Sequence, residues 1–194
     1  MNFIRTQIPE VVICEPKIFG DERGYFVETF RQDLLDDFLG FHIHFCQDNE
    51  SKSSKGVLRG LHFQLPPFAQ TKLVRVVKGR VIDVAVDIRQ KSPTFGQFVA
   101  VELNSENKKQ LLVPRGFAHG FLVLEEDSVF AYKVDNFYSK ECDRGIAFND
   151  PTIGIDWQKL AGENVEFNLS AKDKMQPKLI ESKELFDYEI NYYA

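Results

Sequence analysis

The chain has 194 residues and a formal net charge of −5, from 29 acidic against 24 basic side chains. That length suits one domain with a sizeable core, and 43% hydrophobic against 27% charged residues excludes a disordered chain. The acidic balance argues against a nucleic-acid binder, although a few converging Arg and Lys can still hold a small anion.

Residues 1–16, MNFIRTQIPEVVICEP, contain no long apolar run and meet proline at Pro9 and Pro16, so no signal peptide is expected. RQDLLDDFLG (31–40) puts Leu34, Leu35 and Phe38 on one stripe and ends in Gly40, which predicts a short helix with a glycine C-cap. In FHIHF (41–45), His42 and His44 have the spacing of two ligands on one strand face. They read more simply as solvent-facing polar residues around an inward Ile43. VIDVAVDIR (81–89) alternates strictly: Ile82, Val84, Val86 and Ile88 share one face, and Val81, Asp83, Ala85 and Asp87 the other, as in a strand. FGQFVAVEL (95–103), QLLVP (110–114), FAHGFLVL (117–124) and VFAYKVD (129–135) follow, separated by polar turns. Seventeen Val and eighteen Phe against nine Ala favour strands throughout. The pattern predicts an antiparallel sandwich or barrel. Beyond Asp150-Pro151 the strand pattern thins; the last forty residues are expected to wrap the sheets, with a short helix near 182–190.

Cys14, Cys46 and Cys142 are odd in number and far apart, so a reducing, cytoplasmic setting is expected rather than a disulfide framework. No apolar run approaches the roughly 18 residues of a membrane span.

Two of the four histidines stand in patterned surroundings. His119 lies in VPRGFAHGF (113–121), of the form P-x-G-x-x-H, and His62 in GVLRGLHFQ (56–64). These resemble the two motifs of the cupin barrels, except that Gln64 replaces the second histidine of H-x-H; that replacement removes a metal ligand and frees a histidine to act as a base. Taken alone, both histidines read equally well as satisfied core residues. Strict alternation through LRGLHFQ places His62 and Gln64 on one face and Arg59 on the other, unless Gly60 marks a bulge.

The segments FGDERGYFVETF (19–30), FCQDNES (45–51), GVLRGLHFQ, QTKLVRVVKGRVIDVAVDIR (70–89), SPTFG (92–96), PRGFAHGF (114–121), AYKVDNFYS (131–139), FNDPTIGIDW (148–157) and LSAKDKMQP (169–177) occur in this order. Together they resemble the dTDP-4-dehydrorhamnose 3,5-epimerase family over essentially the whole chain. Glu50, where the family pattern has His, and Phe148, where it has Trp, are departures away from the expected catalytic positions. The resemblance implies an all-β, cupin-type jelly-roll barrel with short flanking helices, as a single domain over 1–194. Residues 1–50 would give N-terminal strands and a helix, 51–150 the barrel core, and 151–194 a wrapping segment. It also implies a homodimer that exchanges N-terminal strands.

The implied activity is cofactor-independent and metal-free inversion of C3 and C5 in dTDP-4-dehydro-6-deoxy-D-glucose, on the dTDP-L-rhamnose route to surface polysaccharide. Both carbons flank the C4 ketone, so their protons leave as an enolate forms. That chemistry wants a base, an acid on the other face, and a cation near O4. The resemblance assigns His62 as base, Asp173 as its carboxylate partner, Tyr132 as acid and Lys72 as the cation. Asp173 also reads as a helix cap, Tyr132 as an inward aromatic and Lys72 as a solvated strand end. Arg23, Glu28, Gln47, Asp48, Asn49, Arg59, His119, Asp143 and Lys172, with Lys72, match substrate-contact positions. Phe19, Phe26 and Tyr138 would stack on the base or pack the sugar. The rival readings are an epimerase of one centre only, a metal-dependent cupin and a non-catalytic sugar-nucleotide binder.

Overall fold

The computed structural model describes residues 1–193. The strands are β1 (Asn2–Arg5), β2 (Val12–Glu15), β3 (Ile18–Asp21), β4 (Gly24–Val27), β5 (Gln47–Ser53), β6 (Leu58–Gln64), β7 (Lys72–Lys78), β8 (Arg80–Asp87) and β9 (Arg89–Gln90). They continue as β10 (Phe98–Asn104), β11 (Gln110–Val113), β12 (Phe117–Val123), β13 (Ser128–Val134), β14 (Asp143–Gly145) and β15 (Phe186–Asp187). Three short helices flank them: α1 (Gln32–Leu39), α2 (Trp157–Ala161) and α3 (Ala171–Lys174).

Two antiparallel sheets face each other, one ordered β1-β2-β11-β7-β13-β5 and the other β10-β8-β12-β6-β14. Three apolar clusters hold them. Val74, Val76, Val81, Ala85, Phe121 and Phe130 fill the space between the sheets. Ile82, Val84, Val86 and Ile88 instead pack beneath the C-terminal segment, against Trp157, Leu179 and Phe186. Leu35, with Phe38, closes the outer side of the first sheet. Each large apolar side chain removed from water contributes roughly 1.5–3 kcal/mol. The strand read at 81–89 is therefore covered on both faces, and its more apolar face looks away from the barrel interior. Among the described residues no helix is long and apolar enough to cross a membrane.

The helix over 31–40 forms as expected, and Gly40 ends it in the left-handed region at φ 79°, donating to the Asp36 carbonyl. Ile43 is buried between exposed His42 and His44, as the simpler reading has it, but the segment is not a strand. The helix expected near 182–190 does not form. A 3-10 turn at Leu179–Glu181 is followed by β15, which pairs in parallel with β9. Phe186 explains the difference: it docks against Phe63 and Tyr192, and that anchorage outweighs a weak local helical preference.

Gly60 sets the phase of β6. His119 pairs with His62 but Phe121 pairs with Arg59, so three steps on β6 oppose two on β12. This bulge turns Arg59 and His62 to the same side. Gly60 has φ 121°, and an added Cβ would stand 2.5 Å from the Gly120 Cα and 2.8 Å from the His119 carbonyl oxygen. Gly60→Ala is expected to cost about 3 kcal/mol through clash and backbone strain. Calorimetry should show the melting midpoint falling by roughly 6–12 °C.

Candidate active site

Between the two sheets lies a cavity of about 290 Å³. His62 and Arg59 reach it from β6, Lys72 from β7, His119 from β12, Tyr132 from β13 and Asp173 from α3.

His62 Nε2 lies 2.5 Å from Asp173 Oδ1. Asp173 is also part of a helix cap: its N–H donates to Ser170 Oγ at 3.1 Å, and its Oδ2 accepts from the same hydroxyl at 2.6 Å. The two readings of Asp173 are thus one arrangement, with the cap aiming the carboxylate at the ring. Burial alone would raise its pKa, but hydrogen bonds from His62, Ser170 and the Gly60 backbone hold the carboxyl below its usual range. With Nε2 donating to Asp173, Nδ1 is left as the nitrogen that can accept a proton.

A second imidazole–carboxylate pair lies on the adjoining strands. His119 Nε2 is 2.9 and 3.0 Å from the two oxygens of Asp83, which is fully buried. Asp83 escaped the sequence reading because it looked like the polar side of an ordinary strand. Its signal was a carboxylate repeated at 83 and 87 within an apolar run.

Burial pushes the Lys72 ammonium down to about 8, with Asp143 and Asp83 pulling the other way. Burial raises the Tyr132 phenol, opposed by the Arg59 charge, so it stays protonated at neutral pH. Arg59 donates to Ser53 Oγ at 3.1 Å. Gln64 is fully engaged, donating to the Phe68 and Phe137 carbonyls and accepting from the Ser139 N–H. It ties two loops at the rim, as a metal-binding imidazole at that position would not.

The other expected contact residues divide. Gln47 and Asn49 hydrogen-bond to each other at 2.7 Å and share the β5 face of Ser51, which lines the cavity. Asp143 and Lys172 form an ion pair, and the Tyr138 hydroxyl donates to Asp143. Asp48 points to the other face of β5, where Lys133 pairs with it at 2.9 Å. Arg23 pairs with Asp21 on the β3–β4 hairpin, and Glu28 with Arg31, so neither lines the cavity of its own chain. Ser51, Phe121, Phe130 and Ser170 line it without having been singled out in the sequence, and so does Glu50, which stood out there only as a departure from the family pattern.

Comparison with known proteins gives this arrangement a family. The family model described as dTDP-4-dehydrorhamnose 3,5-epimerase matches residues 5–181. The protein of that name from Escherichia coli K12 is 53% identical over 174 residues, covering 90% of this chain and 92% of its own. The Shigella flexneri protein of that name is 59% identical over 157 residues, 81% of this chain and 87% of its own. A Legionella pneumophila 3,5-epimerase solved in complex with dTDP-4-keto-L-rhamnose superposes with a TM-score of 0.91 at 47% identity, covering 97% of this chain and 99% of that one. A double mutant of a 3'-monoepimerase from Streptomyces bikiniensis, solved in complex with dTDP, superposes with a TM-score of 0.88 at 29% identity, covering 94% of this chain and 92% of that one. The chain belongs to the dTDP-4-dehydrorhamnose 3,5-epimerase family.

Proposed function

We propose that this chain inverts C3 and C5 of dTDP-4-dehydro-6-deoxy-D-glucose to give dTDP-4-dehydro-L-rhamnose, with His62 as the base. The observation that carries the assignment of roles is the His62–Asp173 pair opening into the same cavity as Lys72 and Tyr132. His62 Nδ1 takes the proton alpha to the C4 ketone, and Asp173 stabilises the imidazolium. The electron pair passes into the C4 carbonyl, and the Lys72 ammonium faces the enolate oxygen. Tyr132 returns a proton on the opposite face; the His62 imidazolium then releases its proton to water and the tyrosinate takes one back, which resets both groups for the second centre. No carbon changes oxidation state, and the substrate's own ketone is the electron sink, so the step balances without a cofactor.

Turnover in D₂O tests this. Deuterium is expected at both C3 and C5; incorporation at one carbon only would make the chain a single-centre epimerase.

The enolate partner must carry charge, so kcat/KM is expected to fall as pH rises through about 8, where Lys72 loses its proton. Lys72→Arg, whose guanidinium stays charged, should retain part of the activity and move that alkaline limb upward in a pH–rate profile. The sign for stability is opposite. Between about 8 and the ordinary lysine value the unfolded chain holds the extra proton, so this group adds stability as pH rises.

Arg23 and Glu28 complete the site in a homodimer, each chain lending its β3–β4 hairpin to the other's cavity. The support is that Phe19, Tyr25 and Phe26 stand more than half exposed on that hairpin. Sedimentation should give a dimer mass. A mixture of His62→Ala and Arg23→Ala chains should regain activity that neither has alone; no gain on mixing would place Arg23 outside the shared site.

A further inference from the structure

Residues 182–193 lie beyond the span that the family model matches, yet this segment is built into the barrel. Phe186 is 1% exposed, and β15 extends β9. From there the chain brings the Tyr193 ring against Phe41, with centroids 4.9 Å apart, and under the Arg115 guanidinium at 5.1 Å.

The Tyr193 hydroxyl closes a ring of hydrogen bonds. It lies 2.7 Å from Thr71 Oγ1 and accepts the Arg115 backbone N–H at 3.1 Å. Arg115 Nε donates to Asp135 Oδ2 at 3.1 Å, and Asp135 Oδ1 accepts the Thr71 N–H at 2.6 Å. Arg115 also donates to the Tyr192 carbonyl at 2.5 Å, a second tie to the tail. Thr71 is fully buried, and Lys72 follows it. Arg115 leads into β12, which carries His119, and Asp135 follows β13, which carries Tyr132. One hydroxyl near the C-terminus therefore joins the ends of three strands that supply polar groups to the cavity.

We propose that Tyr193 is a positioning residue which, through Thr71, fixes the strand end from which Lys72 enters the cavity. The inference rests on the role given above to Lys72. The Arg115 N–H leaves the tyrosine hydrogen to donate to Thr71 Oγ1. In Tyr193→Phe the ring stays, but the Arg115 N–H loses its acceptor and Thr71 Oγ1 its donor, and a buried polar group left short of a partner drives its backbone to shift. A displacement on the order of 1 Å can cost about a hundredfold in rate; the ladder bonds of β7 limit the shift, so a loss of about tenfold is expected.

The test is steady-state kinetics on Tyr193→Phe, Lys72→Met and the double variant, well below their melting midpoints. Tyr193→Phe should lower kcat about tenfold, with KM within about twofold. Lys72→Met should lose about a hundredfold or more, and the double variant should be no worse than Lys72→Met alone, because both act on one group. Thr71→Val should reproduce the Tyr193→Phe loss. An unchanged kcat in Tyr193→Phe with only a lower melting midpoint would make the tail a structural strap and overturn the proposal. Losses that multiply in the double variant would overturn the route through Lys72. Near-normal turnover in Lys72→Met would remove the role of Lys72 and this inference with it.

Discussion

Replacement of His62 by Ala is expected to abolish detectable product, a loss of about a thousandfold or more, while dTDP affinity stays within about threefold. General-base catalysis by a positioned side chain is worth roughly 10²–10⁴ in rate, and removing this ring also leaves Asp173 with nothing to orient. The nucleotide portion of the ligand does not need the imidazole, so binding of dTDP, read by calorimetry, should persist. The variant also has a signature in acid. In the native chain His62 helps hold the Asp173 carboxyl below its usual range. A depressed carboxylate contributes stability above its unfolded pKa of about 3.9, and that contribution is lost as pH falls through the folded value. Without His62 the depression shrinks, and acid unfolding followed by circular dichroism should begin at a higher pH. Near-normal turnover in this variant would remove His62 as the base. Persistent dTDP binding without turnover in the unsubstituted chain would make the protein a binder.

The strands between 81 and 135 and helix α1 were legible because they depend on local periodicity and on single residues such as Gly40. Which side of a strand faces the ligand was not. In β8 alternation separates Ile82, Val84, Val86 and Ile88 from Val81, Asp83, Ala85 and Asp87, but a period of two does not say which face is the interior. The more apolar face meets the C-terminal segment, and Asp83 turns into the barrel to meet His119. Arg59 illustrates the complementary failure. Alternation places it opposite His62, and only the bulge at Gly60, forced by the close approach of Gly120, returns it to the cavity. The His62–Asp173 contact spans 111 residues, so no local spacing encodes it; the resemblance to a family supplied Asp173, and the Ser170 cap supplies its physical reason. The tail misled for another reason. A short polar stretch reads as a weak helix until Phe186 finds a buried site, and neither Phe186 nor Tyr193 advertises its partner in the sequence.

Tyr132→Phe should separate the two halves of each inversion. The substitution removes one oxygen and keeps the ring, which packs 6.1 Å from Phe130, so the fold and the cavity shape are expected to survive. His62, Asp173 and Lys72 remain, and with them proton abstraction and the enolate. His62 can return a proton only to the face from which it took one, and in D₂O that returned proton has exchanged with solvent. Recovered substrate should therefore still gain deuterium at the abstracted carbon, at a rate reduced by no more than about tenfold. Product formation requires a donor on the other face. Tyr132 is suited to that task because burial, outweighing the pull of Arg59, keeps its phenol protonated well beyond neutral pH. Its loss should lower inverted product by about 10²–10³, within the range of general acid catalysis. Mass spectrometry of recovered substrate and product, taken from one reaction, measures both rates at once. Equal losses in exchange and in product would place Tyr132 on the abstraction step or in the packing of the cavity. An unequal loss in the expected direction assigns the far-face proton to its hydroxyl.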